Sequence, residues 1–127
     1  MQVFGIGIDI IEISRIEEVL ERHGDRFLKK ILTVAERDYC MAQKKPATHI
    51  AARFAAKEAV SKAFGTGIGS DLGWLDVEVM RRSTGAPQIR LTGPGAAFAE
   101  KEGIGEIKIS ISHARDYAVA KAMAFVA

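Results

Sequence analysis

The 127-residue sequence has one cysteine, three prolines and no long hydrophobic run. The single cysteine, Cys40, excludes an internal disulfide and a cysteine-based zinc site, which favours a cytoplasmic protein and an inert thiol. No apolar stretch approaches the ~20 residues that a membrane-spanning helix needs, and the first residues lack the basic region of a signal peptide. We therefore expect a cytoplasmic protein with no membrane partner.

Strong net charge is also absent, because 18 basic and 16 acidic residues leave a formal charge of +2. That excess is too small to indicate nucleic-acid binding, and the basic residues are not interleaved with aromatic ones as in single-strand-binding surfaces. Five basic residues do gather between positions 14 and 30. They form either a docking surface for an acidic partner or the solvated face of a helix: Arg15, Arg22, Arg26, Lys29 and Lys30.

What is present is enough apolar sequence, 48%, for one compact domain over residues 1–127. Residues 3–11 alternate small and apolar side chains at period two, which predicts a buried strand. Helices are predicted over 15–23, from 33 towards 43, and over 48–64, followed by a hairpin of residues 75–80 and 88–91. Gly93 opens a short helix, and residues 107–112 and 117–126 form a second hairpin. This order predicts an α+β fold with a mainly antiparallel sheet packed on helices.

Two capping boxes are predicted ahead of the first helices. Ser14 with Glu17, and Thr33 with Glu36, each have the spacing in which a hydroxyl and a carboxylate satisfy the free amides of a helix start.

Several residues could carry chemistry. Asp9 lies within an apolar run, where an ionised carboxylate needs a cation or donors unless it marks a strand end or caps a turn. Glu58 and Lys62 share a helix face at i,i+4 spacing, which an ordinary surface ion pair explains equally well. The alternating glycines from Gly65 leave room for a phosphate or a ribose, or form only a turn. His113 at a strand end could contact a phosphate or move a proton.

No three ligands have a zinc spacing. Two oxygen ligands such as Asp9 and Glu58, completed by water and substrate phosphates, are what Mg²⁺ usually takes.

At these segments the sequence resembles the holo-acyl-carrier-protein synthases, the short type of 4′-phosphopantetheinyl transferase. The resemblance extends in order from residue 5 to residue 113. It rests on Gly5-Ile6-Gly7-Ile8-Asp9-Ile10, Ile31-Leu32-Thr33, Arg53-Phe54-Ala55-Ala56-Lys57-Glu58-Ala59, Lys62-Ala63-Phe64-Gly65-Thr66-Gly67, Gly85-Ala86-Pro87 and Ser110-Ile111-Ser112-His113.

The resemblance implies transfer of 4′-phosphopantetheine from coenzyme A to a serine of apo-acyl carrier protein, with release of 3′,5′-ADP. It implies that Asp9 and Glu58 hold Mg²⁺ with the pyrophosphate, and that Lys62 and His113 contact the phosphates of the coenzyme. The remaining implied contacts are Arg53, Gly65, Gly85 and Pro87 with coenzyme A, and Arg15, Arg22 and Arg26 with the carrier protein.

The resemblance further implies a homotrimer whose active sites lie between subunits. The preferred general base is Glu58 or a water held by Mg²⁺, with His113 as second choice. The small side chains of residues 118, 120, 122 and 124 could let another subunit approach or could lie under the protein's own helix. A metal-dependent phosphohydrolase and a non-catalytic trimer that binds coenzyme A are the alternatives.

Overall fold

A computed structural model describes all 127 residues, and it contains five strands and five helices. The elements are β1 (Gln2–Glu12), α1 (Ile13–His23), α2 (Asp25–Ile31), α3 (Val34–Met41), α4 (Pro46–Phe64), a 3₁₀ turn (Trp74–Asp76), β2 (Val77–Arg81), β3 (Pro87–Leu91), α5 (Gly93–Glu102), β4 (Ile104–His113) and β5 (Tyr117–Val126). Every strand pair is antiparallel, in a three-stranded sheet of order β1–β5–β4 and a separate β2–β3 pair. The predicted α+β class is therefore confirmed.

The long helix α4 lies across the inner face of the three-stranded sheet. Its alanine-rich sequence favours helix, and Gly65 ends it in the left-handed conformation with φ of 80°. A Cβ on Gly7 would lie 1.8 Å from the carbonyl oxygen of Ala59, and one on Gly5 would lie 2.0 Å from that of Ala63. Backbone therefore meets backbone where β1 crosses α4, and only glycine fits there.

The alanine face of β5 is covered by the same helix. Ala118, Ala120, Ala122 and Ala124 are at most 1% exposed, within one core with the alanines of α4. Of the two interpretations of this face, coverage by the protein's own helix is correct, so these residues are not available to a second subunit.

The outer face of the sheet has no such cover. Ile6, Ile8 and Ile10 on β1 are 56%, 60% and 64% exposed, although the sequence pattern predicted a buried strand. Val119 and Met123 of β5 lie in register beside Ile10 and Ile6 and are half-buried. The strand is thus buried only on its glycine side, and an apolar strip remains on the other.

Two features of the first helices were predicted wrongly. Ser14 does not cap α1, because β1 runs on to Glu12 and the helix begins at Ile13, whose amide donates to the carbonyl of Asp116 at 2.8 Å. The chain forms a further helix, α2, which was not predicted because it spans only seven residues. Gly24 separates it from α1 with φ of 48°.

The predicted capping box at Thr33 is confirmed. The Thr33 hydroxyl accepts from the Glu36 amide, and Glu36 Oε1 accepts from the Thr33 amide at 2.8 Å. Glu36 also forms a fully buried ion pair with Lys57 of α4, with 2.7 Å between Oε1 and Nζ. Lys57 donates further to the carbonyls of Ile31 and Trp74, so the pair joins α2, α3 and α4 to the chain that enters β2.

No helix combines the length and the apolar character needed to cross a lipid bilayer.

The close approach of β1 to α4 leads to a stability prediction. Gly7→Ala should lower the free energy of unfolding by about 3 kcal/mol, because its methyl group would overlap the Ala59 carbonyl and force strand and helix apart. Urea unfolding at fixed protein concentration measures the loss. Gly105→Ala is the matched control within a strand, since a Cβ there meets no atom within 4 Å, and it should change stability by less than about 0.5 kcal/mol. Equal midpoints for the two variants would contradict this account.

Candidate active site

The first cluster of predicted residues forms where β1 crosses the last turns of α4. Asp9 points to the helix side of the sheet, and Lys62 donates to its Oδ1 at 3.1 Å and to the carbonyl of Ile8 at 3.0 Å. The Asp9 side chain is 16% exposed and that of Lys62 is 51% exposed. Asp9 therefore neither ends the strand nor caps a turn, and the cation that it was predicted to need is Lys62.

Glu58 belongs to the same cluster. Burial raises the pKa of its carboxyl, the negative charge of Asp9 raises it further, and Lys62 opposes both. Glu58 and Lys62 form no ion pair within 4 Å, so the simple surface pair suggested by their spacing is not formed. Because the charge of Asp9 disfavours the ionised form of Glu58, a cation bound between the two carboxylates would be stabilised.

The glycine-rich exit of α4 follows directly. The amides of Gly65 and Gly67 donate to the carbonyls of Lys62 and Ser61, so both are used in ending the helix. A Cβ on either glycine would meet no atom within 4 Å, which leaves open space beside this turn.

A second cluster lies near the start of α4 and contains Arg53 and His113. Arg53 is 6% exposed and packs against the Tyr39 ring, with 4.5 Å from Cζ to the ring centroid. The centroid of the His113 ring lies 6.2 Å from that of His49, and the His49 and Tyr39 rings pack in a T-shaped arrangement with 5.8 Å between their centroids. Burial and the neighbouring Arg53 lower the pKa of His49, an effect to which His113 also contributes.

The turn of the first hairpin lies beside this second cluster. Arg81, at the end of β2, packs its guanidinium on the Tyr39 ring at 5.0 Å and donates to the Tyr39 hydroxyl. Gly85 approaches Arg81, since a Cβ on it would lie 3.4 Å from Nη2. Pro87 begins β3, opposite Arg81 in the hairpin register.

The two clusters lie on different faces of α4. At 3.6 residues per turn, Arg53 is rotated from Glu58 by about 140° and from Lys62 by about 180°. The structure thus brings Asp9, Glu58 and Lys62 together, gathers Arg53 and His113 around Tyr39 and His49, and separates the two sets.

The three arginines expected to meet a partner are exposed on α1 and α2. Arg15, Arg22 and Arg26 form no ion pair within 4 Å. A hollow beside Arg26 is formed by two apolar side chains and three basic ones, Val19, His23, Arg26, Phe27 and Lys30. This surface offers free positive charge around a small apolar floor.

Tyr39 and Arg81 were not predicted from the sequence, because they come from two separate elements, α3 and β2, and belong to no motif. Only the tertiary contacts identify them. Cys40, beside Tyr39, is fully buried, and burial raises the pKa of its thiol to about 11, so it is not a nucleophile at neutral pH. No three His, Cys, Asp or Glu side chains gather into a set able to hold a metal ion by themselves.

Comparison with known proteins gives consistent matches over nearly the whole chain. A family model described as the 4′-phosphopantetheinyl transferase superfamily matches residues 5–122. A holo-[acyl-carrier-protein] synthase of Chlamydia trachomatis serovar L2 is 51% identical over 122 residues, covering 96% of this chain and 99% of the relative.

Solved structures give the same picture. The crystal structure of the holo-[acyl-carrier-protein] synthase of Neisseria meningitidis superposes with a TM-score of 0.92 at 31% identity, covering 98% of this chain and 99% of the other. A holo-(acyl-carrier-protein) synthase of Bacillus anthracis, in complex with CoA (3′,5′-ADP), is 38% identical with a TM-score of 0.84, and each chain is covered completely.

The electrostatics of the first cluster can be tested by titration of the metal-free protein. Glu58 should titrate above the usual range for glutamate, because burial and Asp9 disfavour its charged form. Asp9→Asn should lower the pKa of Glu58, and Lys62→Met should raise it. Carboxyl chemical shifts followed by NMR against pH measure all three values. An unshifted Glu58, or a rise in Asp9→Asn, would contradict the assignment.

Proposed function

The chain belongs to the 4′-phosphopantetheinyl transferase superfamily, and we propose how its two clusters serve the reaction. It transfers the 4′-phosphopantetheine group of coenzyme A to a serine of apo-acyl carrier protein. The serine hydroxyl attacks the β-phosphorus of the coenzyme, the pyrophosphate P–O bond breaks, and 3′,5′-ADP leaves. Alignment of the two substrates and neutralisation of pyrophosphate charge are the main demands on the protein.

Asp9 and Glu58 would hold Mg²⁺. The observation that carries this proposal is the grouping of Asp9 and Glu58 at the crossing of β1 and α4, with the Lys62 ammonium 3.1 Å from Asp9 Oδ1. Carboxylate oxygens are the ligands that Mg²⁺ prefers, and two of them leave the remaining positions to water and substrate phosphates. When bound, the ion would supply positive charge to the pyrophosphate.

The chain's own groups complete the first cluster. Lys62 is half-exposed, so its ammonium can turn from Asp9 towards a pyrophosphate oxygen. Glu58 is our choice for the base that takes the serine proton, since it lies in the cluster that would hold the pyrophosphate, where the attacking hydroxyl must also come. His113 is the second choice for the base, because it belongs to the second cluster and would reach the serine only across a shared site.

The second cluster would bind the adenine and 3′-phosphate end of coenzyme A. Arg53 supplies positive charge and His113 a ring N–H donor. The turn at Gly85 and Pro87 adjoins Arg81, which shares the Tyr39 ring with Arg53. Gly65, next to Lys62, would border the phosphates through the open space beside its turn. Because Arg53 and Lys62 lie on opposite faces of α4, one coenzyme would reach both clusters more readily if they came from two subunits.

A homotrimer with active sites between subunits satisfies that need. The exposed strip of Ile6, Ile8 and Ile10 on the outer face of the sheet is what supports association, since such a strip is costly to leave in water. A trimer uses heterologous contacts around a closed ring, so each interface can join the first cluster of one subunit to the second cluster of the next.

The carrier protein would dock on α1 and α2. Arg15, Arg22 and Arg26 are exposed and free of ion pairs, so they can meet acidic groups without losing an existing partner. The cytoplasmic location and the single domain over residues 1–127 remain predictions.

Removal of either carboxylate tests the proposal. Asp9→Ala and Glu58→Ala should each lower turnover on the order of a hundredfold or more, because charge stabilisation at the pyrophosphate is lost. Mass spectrometry of apo-acyl carrier protein incubated with coenzyme A and Mg²⁺ measures the transfer. Glu102→Ala, at an exposed glutamate without side-chain bonds, is the control and should leave turnover unchanged. Near-normal turnover of either site variant at limiting Mg²⁺, or 3′,5′-ADP release without the carrier, would overturn it.

Mixing two inactive variants tests the shared site. Asp9→Ala and His113→Ala subunits, exchanged at equal amounts, should recover up to about one quarter of normal activity, because that share of interfaces would pair two intact clusters. Asp9→Ala mixed with Glu58→Ala should recover nothing, since both changes lie in the same cluster. Native mass spectrometry verifies the exchange. Complete exchange without recovery in the first mixture, or a fully active monomer, would show that the site is not shared.

A further inference from the structure

The Tyr39 ring organises the positive charge of the second cluster. Two guanidinium groups pack on it, Arg53 at 4.5 Å and Arg81 at 5.0 Å from the ring centroid. Arg81 also donates to the Tyr39 hydroxyl, and the His49 ring packs against the Tyr39 ring in a T-shaped arrangement with 5.8 Å between their centroids. One half-buried aromatic side chain of α3 therefore contacts cationic or basic groups from both α4 and β2.

These arginines are held without being neutralised. Neither guanidinium lies within 4 Å of a carboxylate oxygen. The two carboxylates nearby are engaged elsewhere, Glu36 with Lys57 and Glu78 with Thr33 and Arg90. An aromatic face attracts a cation through its quadrupole and leaves its full charge available to an anion. Arginines held in this way can bind a dianion directly. Arginines held in ion pairs would first have to leave their carboxylates.

Arg53 has the stronger need for a ligand. It is 6% exposed, its Nε has no hydrogen-bond partner, and its only side-chain hydrogen bond runs from Nη1 to the carbonyl of His49 at 3.3 Å. A buried cation without a counter-ion is costly. The ring of Tyr39 offsets part of that cost in the free protein, and a phosphate would offset the rest.

We infer that Tyr39 is a positioning residue for the 3′-phosphate of coenzyme A, which it serves by aligning Arg53 and Arg81 with its ring and hydroxyl. This inference rests on the proposed role of the second cluster. Tyr39 itself need not touch the coenzyme. Its effect should be confined to the affinity for a ligand that carries the 3′-phosphate.

The experiment compares coenzyme A with dephospho-coenzyme A, which lacks the 3′-phosphate. Tyr39→Leu should weaken binding of coenzyme A about tenfold and raise its KM similarly, with kcat changed less than about twofold. Binding of dephospho-coenzyme A should stay the same. Tyr39→Phe keeps the ring and loses only the hydroxyl, so it should weaken coenzyme A binding about threefold or less. Calorimetry gives both dissociation constants, and thermal unfolding shows that each variant is folded.

Arginine variants separate this inference from the proposed function. The preference is the ratio of the affinities for coenzyme A and dephospho-coenzyme A, which Tyr39→Leu should reduce. Arg53→Gln should abolish this preference. Arg37→Gln changes a residue on the same helix as Tyr39 whose side chain forms no bonds, and it should keep the preference. If Arg53→Gln removes the preference and Tyr39→Leu retains it, only the role of Tyr39 is wrong. If Arg53→Gln itself retains it, the phosphate assignment and the role of Tyr39 both fail. Equal weakening of both ligands by Tyr39→Leu, or a lowered kcat at constant KM, would indicate a general structural role and overturn the inference.

Discussion

The contact of β1 with α4 at backbone distance is the constraint on which the rest of the structure depends. A side chain at Gly5 or Gly7 would overlap helix carbonyls, and the alanines of α4 and β5 keep the remaining distance short. This approach places Asp9, two residues beyond Gly7 on the same side of the strand, beside Lys62 and near Glu58. The glycines therefore serve the site as well as the packing.

On another side of α4, the ion pair of Lys57 and Glu36 fixes the positions of neighbouring elements. Burial lowers the pKa of Lys57, and Glu36 opposes that shift. Glu36 Oε2 also accepts from the amide of Val79 at 2.8 Å, so one carboxylate fixes the start of α3 and strand β2 relative to α4. Removing one partner of such a pair is strongly destabilising. Tyr39 and Arg81 lie on the two elements that it holds, so the geometry of the second cluster depends on this pair.

Local rules predicted much of the chain and failed where distant residues intervened. The Thr33 capping box forms because its partner is three residues away. Ser14 does not cap α1, because the helix begins one residue earlier, at Ile13, whose amide donates to the carbonyl of Asp116, about one hundred positions later. The residues of the candidate site also fall into those that local motifs predicted and those that only tertiary contacts identify. Family motifs indicated Asp9, Glu58 and Lys62, which the fold brings together. No pattern indicated Tyr39, because its importance lies in contacts with side chains of two other elements.

The exposure of β1 shows a limit of strand periodicity. The pattern cannot tell whether an apolar face is covered by the chain itself or by another subunit. Alternation of glycine with isoleucine predicts two different faces, and the structure covers only the glycine face. An outward row of isoleucines exposes apolar surface to water in a lone subunit, which is unfavourable, whereas an oligomer can bury that surface. The same helix that covers the inner face also separates the two clusters. If the shared site proposed above is correct, a chain of 127 residues completes the site for a long coenzyme with a neighbouring subunit rather than with a second domain.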